Sequence, residues 1–305
     1  MTPGAAHTIS RLSFFKGILL MLFVFVAYLP VRSQADAKSP FYSTGIMDVP
    51  VYSDLKTALK DPEKVYKCQF LNTTFDPKLL PKITKLRSLQ CLQISSNGIT
   101  ELPLEFTGFR GLLFFSSSKN ELLSLPKEFA ALQNLLYVEL NDTKLRSLPS
   151  TFPELDRLHS LQIQNCKADT FRLPINMGEL SALEELVLFH VSIDSLPVSF
   201  GNMKKLKSVY IAGTRLKVIP SSIGSLVHLQ SLVLDDCQLT QLPKSLFKLK
   251  NLWYLSLKNN HIAHISDYIC YLSNLAELDL SGNPISEQER AILHALLPGC
   301  KIIFN

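Results

Sequence analysis

Leu229–Asn251 reads LQSLVLDDCQLTQLPKSLFKLKN, and its pattern decides how the rest of the chain is read. Apolar residues fall at Leu229, Leu232, Leu234, Leu239, Leu242, Leu246/Phe247 and Leu249, with a proline at Pro243. Moving back 23 residues from Leu229 reaches Leu206, moving forward 23 reaches Leu252, and the same template fits at both. A recurrence of this length marks one small unit repeated, each copy burying its apolar side only against its neighbours.

Unit starts fall at Val65, Leu89, Leu112, Leu135, Leu158, Leu183, Leu206, Leu229, Leu252 and Leu275, ten units across 65–285. The interval is 23 residues except for 24 after Val65 and 25 after Leu158, the latter from two extra residues around Thr170-Phe171-Arg172. Residues three and five after each start, such as Leu232 and Leu234, alternate in the manner of a short strand and point inward. Residues two, four and six after it project from the opposite face. At the eighth the chain must bend. Asn97, Asn120, Asn260 and Asn283 stand there, with Thr73, Thr143, Thr214, Cys166 and Cys237 in other units. Val191 has no polar atom to offer, so its turn is predicted to be irregular. Past the bend, prolines recur at Pro103, Pro126, Pro149, Pro174, Pro197, Pro220 and Pro243, with Ser266 in place of the next. Proline fixes φ and lacks a donor, which predicts an extended, polyproline II-like return with short helical turns.

The template L-x-x-L-x-L-x-x-N/C-x-L, continued as L-x-x-L-P-x-x-ϕ-g-x-L-x-x with ϕ apolar and g often glycine, resembles the leucine-rich-repeat family over residues 65–297. The resemblance implies an α/β repeat solenoid, right-handed and curved. A parallel β-sheet would line the concave face, with polyproline II or short helical segments on the convex side. It implies that the amide at the bend bonds loop backbone otherwise buried and unsatisfied. It implies binding rather than catalysis, with a partner that differs between members. The leader and the Leu-Pro pattern are similar to leucine-rich-repeat proteins exported by Gram-negative bacteria, which implies periplasm, cell surface or medium.

Residues 1–35 read as a secretory signal peptide. Arg11 and Lys16 precede the apolar run GILLMLFVFVAYL at 17–29, and Ser33-Gln34-Ala35 supplies small residues for cleavage. That run is shorter than the roughly 20 residues needed to cross a bilayer core, so no stable membrane insertion is expected after cleavage. An uncleaved anchor is the competing reading. Residues 36–51 read as a linker. Residues 52–64 read as an N-terminal cap, a helix opened at Ser53 and stopped by Pro62. At the other end, residues 286–305 read as a cap. Ser286-x-x-Glu289 signals a capping box for a helix over Glu287 to Leu297, and Cys300 to Phe304 is a candidate last strand.

The formal charge of +5 overstates the basicity. Arg11, Lys16 and Arg32 lie in the leader and no acid precedes Asp36, which leaves +2 on the processed chain. No clustered basic stripe points to nucleic acid. Lys204, Lys205, Lys207, Lys248 and Lys250 read as a solvated face. Of the six cysteines, only Cys270 and Cys300 sit in neighbouring end units as a pair worth testing for a disulfide; the others read as small buried thiols. His261-x-x-His264 has metal-compatible spacing but no third ligand in register and reads as surface. Asn72-Thr73-Thr74 and Asn141-Asp142-Thr143 match the glycosylation acceptor pattern. No nucleophile elbow, phosphate loop, HExxH or paired carboxylates appear, so neither an enzyme nor a cofactor is expected.

Specificity should therefore sit on the concave face, at positions the template leaves free. Phe114, Tyr137, Glu139, Gln162, Gln164, Val187, Phe189, Tyr210, Asp235 and Tyr254 are the candidate binding residues. Aromatic anchors among polar neighbours are the composition of a protein-binding surface. The same positions hold Glu139, Glu185, Asp235, Glu277 and Asp279 against Lys67 and Lys258, which favours a neutral or basic protein or peptide partner, with a glycan also open, over nucleic acid. The competing reading is that these aromatics only stack on one another, in a structural envelope spacer with no ligand there.

Overall fold

The computed structural model describes residues 49–71 and 80–305. The leader, the linker up to residue 48, the Thr73 bend and the Asn72 acceptor site lie outside the described residues. Among the described residues, twelve strands form one sheet in chain order, and every neighbouring pair is parallel. The strands are β1 (Val51–Tyr52), β2 (Lys67–Leu71), β3 (Cys91–Ser95), β4 (Phe114–Ser118), β5 (Tyr137–Asn141) and β6 (Ser160–Gln164). They continue as β7 (Glu185–Phe189), β8 (Ser208–Ala212), β9 (Ser231–Val233), β10 (Tyr254–Ser256), β11 (Glu277–Asp279) and β12 (Lys301–Ile303). This is the curved α/β solenoid of the repeat pattern.

The residues three and five after each start are buried, as at Leu186/Leu188 and Leu232/Leu234. They meet the residues of the return segment in one continuous core. A column of phenylalanines extends that core: Phe106, Phe129 and Phe152 stack nearly parallel at 6.4 and 6.0 Å. Prolines open the return turns as expected. Pro103 sits at φ −67°, ψ 153° before a 3₁₀ turn at Leu104–Gly108, and Pro197 and Pro243 do the same. Ser266 takes φ −56°, ψ 141° ahead of the turn at Asp267–Tyr271, so the substitution keeps the geometry.

Polar bend residues tie neighbouring units together. Asn120 Oδ1 accepts from the backbone N–H of Asn97 (3.0 Å) and Ile99 (3.3 Å), while its Nδ2 donates to the Ile94 carbonyl at 3.0 Å. Asn260 and Asn283 repeat this, accepting from Leu239 and Ile262. Cys237 Sγ donates to the Ile211 carbonyl at 3.6 Å and meets Thr214 Oγ1 at 3.1 Å. At the Cys166 bend, Sγ donates to the Leu145 carbonyl at 2.8 Å, and Thr143 beside it is fully buried. Val191 is fully buried, and its turn is not the irregular one expected: His190 before it keeps a left-handed φ of 49°, and the bond from the Ile193 N–H to the Val191 carbonyl (2.7 Å) has a counterpart between Ile285 and Asn283 (2.8 Å).

One backbone feature escaped the sequence reading. The residue before each bend is left-handed: Ser96, Lys119, Asp142, Asn165, His190, Asp236 and Asn259 have φ between 49° and 56°, and Gly213 and Gly282 fill the same slot. A second is a column of close approaches on the convex side. A Cβ on Gly178, Gly201 or Gly224 would lie 2.0, 2.1 or 2.3 Å from the carbonyl oxygen of Ser199, Ser222 or Ser245 in the next unit.

The ends differ in detail from the sequence reading. Val51, placed in the linker, belongs to β1, which pairs with Lys67 and Cys68 and covers the edge of β2. Helix α1 (Leu55–Ala58) is capped by Asp54, not Ser53, through a 2.8 Å bond from the Thr57 N–H. The two extra residues of the long unit let Phe171 bury itself and Arg172 bridge to Ser147 in the preceding unit. At the C-terminus, after α2 (Leu80–Ile83) near the start of the array, comes α3 (Glu287–Leu296). Ser286 accepts from the Glu289 N–H at 3.2 Å. The reciprocal half of the box is missing, because the buried Glu289 carboxylate turns to the Ile265 N–H (2.9 Å) and His264 Nδ1 (3.0 Å).

Two substitutions of opposite sign test this description. Gly201→Ala forces neighbouring coils apart and should cost about 2–3 kcal/mol. Lys119→Gly relieves a left-handed backbone and should gain about 0.5–1 kcal/mol, set against the entropy glycine adds to the unfolded chain. Denaturant unfolding of both variants beside the parent reads the two signs directly.

Candidate recognition surface

The strand register fixes which free positions become neighbours. Strands about 4.8 Å apart, with same-face residues every second position, turn the concave side into three ladders. Phe114, Tyr137, Ser160, Glu185 and Ser208 follow one another in the first. Ser116, Glu139, Gln162, Val187 and Tyr210 form the second, and Ser118, Asn141, Gln164, Phe189 and Ala212 the third. Tyr254 lies further along the first ladder, between Ser231 and Glu277. Asp235 continues the third past Ala212, bonded to the Lys258 N–H at 2.9 Å.

The ten candidates thus share a face, but they do not share a common exposure. Phe114 is 3% exposed, Val187 2% and Tyr210 7%, and Gln164 is also buried. These four are corrections to the expectation of an open aromatic wall: each stands between close rungs on both sides and offers little surface. Tyr137, Glu139, Gln162, Phe189, Asp235 and Tyr254 are half-buried and line what remains open. Buried serines alternate with them, at Ser116, Ser160, Ser231 and Ser256. The sequence reading passed over these serines because nothing in the repeat template marks them.

The polar side chains are wired together. Ser160 Oγ donates to Glu185 Oε2 at 2.7 Å, Gln162 Nε2 reaches the same oxygen at 3.5 Å, and Gln164 Nε2 reaches Gln162 Oε1 at 3.4 Å. Ser256 Oγ donates to Asp235. Desolvation, reinforced by the Glu185 charge and opposed by a bond from Ser116, pushes the Glu139 carboxyl up to about 7. Desolvation likewise raises Asp235 to about 6 against bonds from Ser256 and Lys258, with Asp279 and Asp236 adding to the rise.

Other sequence candidates fall elsewhere. Asn141 of the second acceptor pattern is 5% exposed on the sheet, a poor substrate for a bulky glycan. The lysines are partly tied down: Lys207 pairs with Glu184 at 2.7 Å, and Lys204 Nζ donates to the Gly201 and Ser225 carbonyls. All six cysteines are free thiols, Cys270 exposed and Cys300 half-buried. Cys91 is buried, and desolvation lifts its thiol to about 12. Among the described residues no group of three or more His, Cys, Asp or Glu side chains is placed to hold a metal ion. No helix among them is long and apolar enough to cross a membrane.

The comparisons with known proteins agree with this architecture. A family model for the leucine-rich repeat matches residues 227–285. No curated protein matches the chain in sequence. The receptor of the TLR13–ssRNA13 complex is similar in structure at 24% identity with a TM-score of 0.65, over 74% of this chain and 33% of that one. The leucine-rich-repeat domain of the type III effector XopL is similar at 23% identity and 0.55, over 69% and 74%. The plant peptide hormone receptor RGFR1, in its complex with RGF2, is similar at 19% identity and 0.54, over 79% and 46%. This chain therefore spans a third of the first and under half of the last, and likeness at these identities is one of fold. The family match over 227–285 and the repeated strand-and-turn units elsewhere give the chain a leucine-rich-repeat fold.

A stability measurement tests the half-buried Glu139 carboxylate. A folded-state value above the unfolded one means the folded chain holds the Glu139 proton more tightly. That contribution is present below about pH 4.5 and is lost as pH rises through about 7. Relative to Glu139→Gln, the parent should lose about 1–3 kcal/mol of stability across that window, since each pH unit separating the two values is worth ~1.4 kcal/mol. Urea titrations of both proteins at the two pH limits check it.

Proposed function

We infer a non-catalytic recognition protein that is exported and binds a protein or peptide partner on its concave face. The observation carrying this reading is the open part of the sheet. Tyr137, Phe189 and Tyr254 stand half-buried among Glu139, Gln162 and Asp235, positions that the stacking of coils does not require. Rigid aromatics beside polar groups supply contact area at low entropic cost, which is how protein-binding surfaces concentrate their energy. RGFR1, a plant peptide hormone receptor of similar fold, was solved in complex with RGF2, which supports this reading.

The carboxylates on this face support a neutral or basic partner over nucleic acid, whose phosphates they would repel. A glycan remains within the same chemistry. The 1–35 leader supports export to periplasm, cell surface or medium, with residues 36–51 as linker, end caps at 52–64 and 286–305, and no bilayer insertion after cleavage.

A second reading has its own observation. Phe114, Val187, Tyr210 and Val233 are nearly all buried, which is what a structural envelope spacer with a self-packed concave face would show. The double substitution Tyr137→Ala plus Phe189→Ala separates the two. A recognition protein should lose its captured partner from culture extracts while its unfolding midpoint barely moves. A spacer should lose several kcal/mol of stability, roughly the cost of two truncated aromatics in a packed setting, and show no partner to lose.

A further inference from the structure

We propose that the convex side of the solenoid is an interface for a second copy of this chain, paired about a two-fold axis between the turns that follow Pro174 and Pro197. This surface lies across the coils from the candidate recognition face and is independent of that reading. Its first mark is apolar. Ile175 is 88% exposed and Val198 79%, the two highest values for large apolar side chains among the described residues. Each stands one residue after its proline, and the Ser199 hydroxyl donates to the Ile175 carbonyl at 2.6 Å, which puts the two on adjacent turns. The stacking of coils does not ask for them: Lys127, Ser150, Ser221, Lys244 and Asp267 fill the same position in other units. Leu104 is the one other apolar residue at that position, three turns away.

The second mark is charge, which changes sign at this pair. The turns after Pro103, Pro126, Pro149 and Pro174 carry five acids against three bases, with Glu154, Asp156 and Glu179 nearest the apolar pair. The turns after Pro197, Pro220 and Pro243 carry five lysines and no acid. Lys204 and Lys205 border the turn of Val198, and Lys244, Lys248 and Lys250 follow two turns on. These three acids and five lysines are all exposed. The next convex acid is Asp267, in the turn after Ser266.

A surface with an apolar centre, acids on one side and bases on the other is complementary to itself. A two-fold rotation through the centre lays Ile175 against Val198 of the second copy and brings Glu179 to that copy's Lys204 and Lys205. Each pair forms twice, as in any isologous contact. One turn further out, Glu154 and Asp156 come within about one strand spacing of the second copy's Lys244 turn, inside the ~10 Å over which charges act at moderate salt. A polyanion would take the lysines and be repelled by the acids beside them, and a basic partner would meet the reverse. A neutral apolar surface would strip water from both sets without pairing either. A convex wall curves away from its copy at both ends, which confines the contact to the central turns. That is less than the roughly 800 Å² per partner of a standard interface, and it predicts a dimer of about micromolar affinity.

The test is sedimentation velocity of the full chain from about 1 to about 100 μM, at about 0.05 M and about 0.5 M salt. The parent should pass from monomer to dimer and stop there, with association at least about tenfold weaker in the higher salt. Ile175→Asp should weaken association at least about tenfold at an unchanged unfolding midpoint, whereas Leu104→Asp, outside the central turns, should not. Charge reversal reads the axis. Glu154→Lys with Glu179→Lys makes both halves basic, and Lys205→Glu with Lys244→Glu and Lys248→Glu makes both acidic. Each variant should be monomeric alone, and the two mixed in equal amounts should form a dimer. A monomer at every concentration, indifference to Ile175→Asp, or an equal loss with Leu104→Asp overturns the proposal. So does a failure to recover on mixing, or growth of species beyond the dimer. Binding of a different protein through this face without self-association overturns it too, and the concave reading is untouched by any of these results.

Discussion

A side-chain amide reaching from one coil into the next is the interaction on which this structure depends. The leucines bring coils together without specifying how far each rotates past its neighbour, because apolar contact is non-directional. The bend supplies direction. Asn120 accepts from two N–H groups of the unit before it and donates back to the Ile94 carbonyl, so one residue fixes the distance and register of two turns. Strand pairing then follows with no slip, and the concave ladders inherit that register.

Substitutions at the bend show how much of this is chemistry and how much is shape. Cysteine and threonine keep part of the bonding, as the Thr214–Cys237 contact does. Valine keeps none, yet the coil at Val191 still closes, with His190 in the left-handed conformation of its counterparts. The left-handed residue and the parallel strand on either side together hold the turn when the amide is gone. A single defect is tolerated because each coil is gripped by two neighbours.

Strands, prolines and bends were legible in the sequence because each follows from one residue type at one interval. Ser266 illustrates why the pattern outlives its residues: flanking units impose polyproline II geometry on a residue that does not require it. The left-handed column was not legible, since Ser96, Lys119 and His190 carry no sequence mark of positive φ. Exposure on the concave face was illegible for a different reason. Alternation says which side of the sheet a residue takes, and Phe114 and Tyr137 take the same side, but only neighbouring rungs decide that the first is buried and the second is not. Alternation thus assigned the candidates to one face of the sheet but drew the open part of that face too broadly.

The glycine column on the outer side sets a geometric limit for the inner one. Between residues 178 and 245 the backbones of successive turns nearly touch at Ser199, Ser222 and Ser245, and a side chain at any of these glycines would have to widen the outer pitch. Curvature in a stack of this kind comes from the difference between outer and inner pitch. Where the difference is small, the arc opens toward a straight wall, and side chains on its hollow side stand more nearly parallel. The reach between rungs that a bound segment must match is thus governed from the far side of the protein, by residues that never meet it.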